Sequence, residues 1–242
     1  MPRKPRIAPA NYTQHVYNRG INKRNCFHDD HDFKCFAAFL ISYSKKYLVK
    51  IHAWVFMTNH YHLLCTPITD DGLSKMMQEL GRDYTRYFNQ KYDRTGSLWE
   101  GRFNSNLVDT DEYLLTLYLY IEFNPERAGM VKHPREYAWS SYRTNAEGVY
   151  SKLVTEHDCY TGLGKSKLER QQSYKKRCEI MISENKLLEI RRCLFTGNAF
   201  AGSSFKDEIN RLTGANVNEG NIGRPKGSKN IRKKIVDSDT SI

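Results

Sequence analysis

Residues 51–65 read IHAWVFMTNHYHLLC, and this stretch decides the fold because it holds two strands joined by a short turn. Residues 51–57 are rich in β-branched and aromatic side chains, and the residues after His62 are apolar on both faces, which predicts a buried central strand. Neighbouring strands joined by a short turn must pair antiparallel. Since His60 and His62 are two residues apart, a strand directs both imidazoles to the same face.

Two imidazoles on one face of a strand admit two interpretations. Neutral imidazole is the commonest protein ligand of divalent metals, and a central strand would hold both ligands rigidly. Two histidines alone do not make a metal site, however, and the alternative is a pair of hydrogen-bonded interior histidines. The triplet leaves both interpretations open.

Composition favours a polyanionic partner. Lys and Arg number 38 against 27 Asp and Glu, which gives a net charge of +11 and a pI near 9.3. A basic excess of this size favours nucleic acid. No apolar run approaches the roughly 18 residues of a membrane span and the N-terminus lacks a signal peptide, so we expect a cytoplasmic protein without a membrane partner. The cysteines are scattered without a C-x-x-C pair, as expected of reduced thiols.

Hydrophobic spacing predicts that strands and helices follow the order βαββαβα. The predicted strands cover residues 12–18, 49–57, 60–66 and 98–108. The predicted helices cover residues 33–48, 73–90 and 111–124. Pro125 should end the last helix because it lacks a hydrogen-bond donor. We therefore expect an α+β sandwich of one antiparallel sheet with helices packed mainly on one face.

The chain divides into three predicted parts. Residues 1–148 hold the α+β domain. Residues 149–220 carry more charge, and helical spacing around 180–194 and 205–212 predicts a small helical extension. Residues 221–242 form a polar, basic tail with almost nothing to bury, which we expect to be disordered.

Two other motifs are rejected. Residues 164–166 (GKS) resemble the end of a phosphate-binding loop, but that loop needs a glycine where this chain has Cys159. Four possible zinc ligands are Cys26, His28, His31 and Cys35. Their spacing is unlike that of zinc knuckles, and residues 28–30 (HDD) instead predict a turn that caps the following helix.

The predicted helix 111–124 brings a phenol and a carboxamide together. Its apolar stripe consists of Leu114, Leu117, Tyr118 and Ile121. At about 100° per residue, Tyr120 lies roughly 110° from the centre of that stripe, and Asn124 is one turn further along on the same side. The alternative is that Tyr120 packs at the helix edge and that Asn124 only caps the helix before proline.

Several motifs in the right order resemble one protein family. They are residues 59–62 (NHYH), 96–103 (GSLWEGRF), 113–115 (YLL) and 120–131 (YIEFNPERAGMV). Over about residues 8–145 the chain resembles the REP-associated tyrosine transposases, relatives of the IS200-like, single-tyrosine HUH transposases. Family members often have valine or another hydrophobic residue where Glu126 stands.

The resemblance implies a ferredoxin-like nuclease core that nicks and joins single-stranded DNA beside imperfect hairpins. By position, it assigns Tyr120 as the nucleophile, His60 and His62 as the metal-binding pair, and Asn124 as the third ligand. The departure at Glu126 does not touch these residues.

The chemistry of these groups is consistent with that assignment. A phenol has a pKa near 10 and is a poor nucleophile until it is deprotonated or faces a polarised electrophile. Two imidazoles and one amide oxygen leave coordination positions open for phosphate oxygens and water. Nitrogen ligands make Mn²⁺ at least as suitable as Mg²⁺. Attack would give a 5′-phosphotyrosine and a free 3′-OH, and exchange of one phosphodiester for another needs no nucleotide cofactor.

Basic residues interleaved with aromatic residues predict a DNA-binding surface. Those singled out in the domain are Arg19, Lys23, Arg24, Arg82, Arg86 and Arg102. A solvated helix face is the plainer interpretation for any single one of them. In the tail, residues 223–227 (GRPKG) resemble an AT-hook that would fit the minor groove of A·T-rich duplex DNA through Arg224 and Lys226. A generic basic tail is the alternative.

Three functions are compatible with the sequence. The first is metal-dependent nicking and joining of single-stranded DNA at hairpin-forming repeats, by a bacterial protein that associates with the nucleoid when bound to DNA. The second is a sequence-specific DNA- or RNA-binding regulator with a vestigial nuclease site. The third is a metal-dependent phosphodiesterase that uses water instead of Tyr120.

Overall fold

The first half of the chain alternates strands and helices in the order β1, α1, β2, β3, α2, β4. A computed structural model describes residues 7–109, 113–214 and 217. The strands are Gln14–Arg19 (β1), Val49–Phe56 (β2), His60–Pro67 (β3) and Asn104–Leu107 (β4). The first two helices are Asp30–Lys46 (α1) and Gly72–Lys91 (α2).

The four strands form one sheet in the order β2-β3-β1-β4, and every neighbouring pair is antiparallel. The predicted α+β class is therefore confirmed, as is the ferredoxin-like arrangement that the family resemblance implied. β1 and β3 are the interior strands. Residues on these strands have a hydrogen-bonded neighbour on each side, which fixes their positions more firmly than those of an edge strand.

Helices α1 and α2 cover one face of the sheet. The buried residues of α2 are Gly72, Leu73, Met76, Met77, Leu80, Tyr84 and Phe88, which recur at helical spacing as predicted. They pack with Phe36 and Leu40 of α1 and with Leu63 of β3 in one apolar cluster. Asp29 caps α1 through the backbone N–H of Asp32, in agreement with the predicted turn.

The helices that follow β4 are Leu114–Glu122 (α3), Asn124–Arg127 (α4), Tyr142–Glu147 (α5), Asp158–Thr161 (α6), Lys167–Cys178 (α7), Glu184–Thr196 (α8) and Ser203–Thr213 (α9). Of these, α3 and α8 pack directly on the sheet. α3 packs on β2 and β3, where it contacts the other side of the strands through Ala53, Val55 and Leu64. Helices thus lie on both faces of the sheet, whereas the sequence led us to expect them mainly on one face. Seven of the eight residues of β2 are buried, so both faces of the strand need a cover.

The main differences from the sequence-based elements concern β4, α3 and α7. β4 is shorter than predicted, because residues 98–103 leave the sheet except for an isolated bridge between Trp99 and Gly20. α3 ends at Glu122 and Pro125 lies in the first turn of α4, where a missing N–H is tolerated. Helix α7 was not predicted, because Tyr174 is its one buried residue and no apolar stripe marks it. The predicted start of the helix 111–124, residues 111–112, lies outside the described residues.

Helices α6, α7 and α8, which follow residue 148, bury apolar side chains with those of α3. Tyr160, Tyr174, Leu187 and Ile190 belong to the same cluster as the sheet residues beneath α3. The division of the chain at residue 148 stays a prediction, and the predicted tail lies outside the described residues. Among the described residues, no helix combines the length and apolarity needed to cross a membrane.

A buried carboxyl group ties α3 to the helices around it. Glu122 accepts hydrogen bonds from the Ser141 hydroxyl (2.5 Å), the Asn145 amide (2.7 Å) and the Tyr174 hydroxyl (2.6 Å). The side chain is fully buried. Burial raises the pKa of Glu122 to about 7, and the three hydrogen bonds oppose that rise without cancelling it.

We predict that Glu122→Gln changes how stability depends on pH. The carboxyl group has a lower pKa when the chain is unfolded, so below about pH 4 both states are protonated and the group has no differential effect. As the pH rises towards 7 the unfolded chain loses its proton first, and the wild type loses up to about 3 kcal/mol that the variant keeps. Urea unfolding of both proteins from pH 4 to 8 measures this difference. The buried histidines affect the stability of both proteins equally, so their effect cancels.

The exposed Glu179 provides the control, since Glu179→Gln should leave the pH profile of the wild type unchanged. A constant difference between Glu122→Gln and the wild type across the pH range would contradict the assignment of a raised pKa to Glu122.

Candidate functional site

The pairing of β1 with β3 sets the site's geometry. Tyr17 lies opposite His62, and Arg19 lies opposite His60. Side chains directly opposite one another in an antiparallel pair share a face, so all four point to the face that α3 covers. The ring centroid of Tyr17 is 4.9 Å from that of His62 and 5.6 Å from that of His60.

A third histidine, which the sequence analysis missed, contacts the pair. His15 of β1 is fully buried, and its Nε2 lies 2.9 Å from Nδ1 of His62. Its Nδ1 has no hydrogen-bond partner among the described residues, and neither has Oδ1 of Asn106, the residue opposite it on β4. The alternation of His15, Tyr17 and Arg19 along β1 was visible in the sequence. Which of these residues would meet His62 depends on the strand register, which the sequence does not show.

Tyr120 of α3 faces the histidines. Its ring lies perpendicular to those of His62 and His15, with centroid distances of 5.6 Å and 5.7 Å. The side chain is only 5% exposed. The helix therefore presents the phenol to the sheet at the level of the imidazoles, and Tyr120 does not lie on an outer helix edge.

Asn124 reaches the same place from the start of α4. Its side chain hydrogen-bonds His60, while Nδ1 of His60 lies 2.6 Å from Oδ1 of Asn59. The structure thus brings together the four side chains that the sequence singled out for chemistry, His60, His62, Tyr120 and Asn124.

Arg127 is a further residue of the site that the sequence analysis did not select. Its guanidinium carbon lies 4.7 Å from the centroid of the Tyr120 ring, and its Nη2 donates a hydrogen bond to the Tyr120 carbonyl oxygen. A cation over an aromatic face is attracted by the ring, so Arg127 helps to hold Tyr120 in place. Its place one turn after Asn124, in the segment NPER, is the signal that could have identified it.

The imidazoles are in the form that binds metal. Burial lowers the pKa of His60 to about 4 and that of His15 to about 3, and it lowers the pKa of His62 well below its ordinary value. All three are therefore neutral at pH 7. When His62 donates Nδ1–H to His15, its Nε2 keeps a lone pair for a cation, the arrangement usual for metal-bound histidine.

The donor set fits a divalent cation with open coordination positions. Two imidazole nitrogens and one amide oxygen are fewer ligands than a closed structural site provides. Within the part of the chain that the structure describes, no group of three or more His, Cys, Asp or Glu side chains is placed to hold a metal. The rejected zinc set is dispersed: Cys26 is buried in the α1–α2 cluster, and His31 contacts the hydroxyl of Tyr87.

The predicted DNA-binding residues fall into separate places. Arg19 and Arg102 line a cavity beside the histidines, and Lys23 and Arg24 line a second cavity near the end of α2. Arg82 and Arg86 lie on α2, over the other face of the sheet, where Asp83 pairs with both. Their role stays a prediction. Arg224 and Lys226 lie outside the described residues.

The fold and the site together define a class: a ferredoxin-like domain whose sheet presents a histidine pair to a tyrosine on the covering helix. The family model described as "Transposase IS200 like" matches residues 9–124, a segment that contains both histidines, Tyr120 and Asn124. This segment is therefore similar to the IS200-like transposases, in agreement with the resemblance seen in its motifs.

A solved structure supports the same fold. It is described as a REP-associated tyrosine transposase bound to a REP hairpin, and it is 21% identical to this chain with a TM-score of 0.52. The match covers 66% of this chain and 96% of that one. The comparison with curated proteins found no match.

The geometry predicts which histidines matter for metal binding. His60→Ala and His62→Ala should each abolish Mn²⁺ binding, because each removes one of two nitrogen ligands. His28→Ala and His31→Ala should leave it unchanged. Titration of free Mn²⁺ by electron paramagnetic resonance measures the affinity directly. Equal Mn²⁺ affinity of the His62 variant and the wild type would show that the metal does not bind at this site.

His15→Phe should lower Mn²⁺ affinity by about 10- to 100-fold without removing a ligand, because the variant cannot form the hydrogen bond that orients His62. Circular dichroism checks that the larger ring is accepted in the core. Unchanged Mn²⁺ affinity in a folded His15→Phe protein would show that His62 needs no such partner.

Proposed function

We propose that this protein nicks and joins single-stranded DNA at hairpin-forming repeats, through a 5′-phosphotyrosine on Tyr120 and with a divalent cation, Mn²⁺ or Mg²⁺, at His60, His62 and Asn124. The single observation that carries the proposal is the contact of the Tyr120 ring with His62. It places a potential nucleophile beside a potential metal ligand, and these two groups come from elements far apart in the chain.

The reaction is an exchange of phosphodiesters. The Tyr120 oxygen attacks the scissile phosphorus, the bond from phosphorus to the 3′ oxygen breaks, and the 3′ oxygen leaves as a hydroxyl after taking a proton. The phenolic proton passes to water. A cation at the histidines would polarise the phosphate as a Lewis acid. Joining is the reverse, with a 3′-OH attacking the phosphotyrosine.

Residues around Tyr120 hold its ring in position for this step. The Arg127 guanidinium lies over the ring and is attracted by it. His15 and His62 also contact the ring. Because Tyr120 is nearly buried, its ring has little freedom to leave the position beside the metal ligands.

The family and the solved structure support a DNA-processing role. The matched family is that of IS200-like transposases, and the solved relative is described as bound to a REP hairpin. We extend both to this chain as a proposal, with single-stranded hairpin DNA as substrate and with the bacterial nucleoid as the place of action.

A binding regulator with a vestigial site is the second candidate, but no specific observation favours it. A vestigial site would be expected to have lost one of its chemical groups, whereas the two imidazoles, the phenol and the carboxamide are all present and in contact. A phosphodiesterase that uses water would have the same metal ligands. It differs from the proposed function in that water, and not Tyr120, attacks the phosphate.

Tyr120→Phe should abolish cleavage of single-stranded hairpin oligonucleotides in Mn²⁺ and leave their binding close to that of the wild type, because only the attacking oxygen is removed. Tyr118→Phe is the matched control. The Tyr118 side chain is fully buried and its ring packs against Tyr160 and Tyr174 rather than against His62, so removal of its hydroxyl should leave cleavage unchanged. A denaturing gel reports the cleavage. Cleavage by Tyr120→Phe at the wild-type rate would favour the water-using phosphodiesterase.

Deletion of residues 221–242 should weaken DNA binding and leave the chemistry intact. The deletion removes six positive charges, those of Arg224, Lys226, Lys229, Arg232, Lys233 and Lys234. Each phosphate that the tail no longer neutralises lowers the slope of log affinity against log salt by roughly 0.9 on duplex DNA. Cleavage of a saturating hairpin should proceed at nearly the full-length rate. An unchanged salt slope, or loss of cleavage in a folded truncated protein, would contradict the separation of tail and site.

A further inference from the structure

A cavity of about 470 Å³ opens beside the histidine pair and takes no part in the chemistry described above. It lies at the edge of the sheet, where α8 contacts β4 and β1. Its walls carry the rings of Tyr17 and Phe195, the amides of Asn18 and Asn104, and the guanidinium groups of Arg19 and Arg102. The volume falls in the range of about 300–1,000 Å³ that is usual for small-ligand sites.

Tyr17 connects this cavity to the candidate active site. One side of its ring contacts His62, at a centroid distance of 4.9 Å. Phe195 contacts the same ring edge to face at 5.8 Å. A single aromatic ring therefore separates Phe195 from the proposed metal ligand, so a ligand in the cavity would lie next to any group bound at the histidines.

Phe195 has the exposure expected of a stacking surface. The buried residues of α8 include Leu187, Ile190 and Leu194, all at most 5% exposed. Phe195 follows them directly but is 51% exposed, and it forms part of the cavity wall. Exposed aromatic rings beside cations are the usual platform for the bases of single-stranded nucleic acid.

The polar groups of the cavity suit a base and a phosphate. The outer edge of β4 is covered at Leu107, whose carbonyl oxygen accepts from the N–H of Phe200, whereas Asn104 at the other end of the strand lines the cavity. An amide has both donors and an acceptor for the edge of a base. Arg19 is neutralised by Glu100 at 2.7 Å, but Arg102 forms no ion pair with any described residue and is available to a phosphate.

We propose that the cavity holds one nucleotide of single-stranded DNA adjacent to the scissile phosphate, with its base stacked on Phe195 and its phosphate at Arg102. The proposal rests on the proposed function for the identity of the strand, but it uses neither the nucleophile nor a metal ligand. It assigns a substrate-binding role to α8, which lies outside the segment that matches the transposase family.

The test compares two probes that carry the same backbone charge, a single-stranded dT decamer and an abasic decamer. Their binding to the full chain is measured by fluorescence anisotropy in EDTA, where no cleavage occurs. We expect the wild type to prefer the dT decamer by about tenfold, the size of one base–aromatic stack. Phe195→Ala should remove most of this preference, and Phe195→Trp should retain it.

Leu188→Ala is the matched control, because Leu188 lies on the same helix, is 58% exposed and does not line the cavity. It should keep the full base preference. Arg102→Gln should weaken the binding of both probes by the same factor. If Phe195→Ala does not fold, Phe195→Leu keeps the apolar contact with Tyr17 but has no ring, and it should lose the preference as well.

A folded Phe195→Ala or Phe195→Leu protein that keeps the wild-type base preference would overturn the proposal. So would an equal loss of preference in Leu188→Ala. These outcomes are independent of the nicking reaction, since a chain that never forms a phosphotyrosine can still show the base preference. Conversely, Phe195 variants that have lost the base preference should still form the adduct with a saturating hairpin.

Discussion

The antiparallel pairing of β1 with β3 is the constraint on which both the fold and the candidate site depend. It joins the two interior strands of the sheet and places Tyr17 opposite His62 and Arg19 opposite His60. A slip of one residue would turn every side chain of one strand to the other face. The hydrogen bond between His15 and His62, 2.9 Å long and buried, forms only in the observed register and links the two strands at the level of the site.

Helices pack against both faces of the sheet. On one side, α1 and α2 bury a continuous apolar cluster and contribute nothing to the histidine pair. On the other side, α3 is buried nearly all round, because the sheet lies beneath it and the helices of the extension lie around it. Glu122 fixes α3 in that position through Ser141, Asn145 and Tyr174, two residues from Tyr120. The extension therefore has a structural part in placing the proposed nucleophile.

Much of this could be predicted from the sequence, for identifiable reasons. The shared face of His60 and His62 and the apolar stripe of α2 could both be predicted, because strand and helix periodicity depend only on residues close together in the sequence. His15 was missed because its role depends on a pairing across 47 residues of chain. Phe195 was missed because half of the ring is exposed and nothing in its own segment distinguishes it from a surface residue. Arg127 was missed because its contact with Tyr120 depends on the turn between α3 and α4. Residue spacing predicted which side chains share a face within one element, and only the family resemblance grouped His60, His62, Tyr120 and Asn124 across elements.

The central claim is that Tyr120 attacks DNA beside a metal held by His60 and His62, and tandem mass spectrometry of the wild-type adduct tests it most directly. The protein is incubated with a single-stranded hairpin oligonucleotide and Mn²⁺, digested with nuclease and protease, and searched for a peptide that carries a deoxynucleotide 5′-phosphate. The account predicts one modified peptide, with the phosphate on the Tyr120 oxygen, and no modification in the His62→Ala protein. A nucleotide on another residue such as Tyr118 or Tyr113, or an adduct that forms equally without His62, would contradict it.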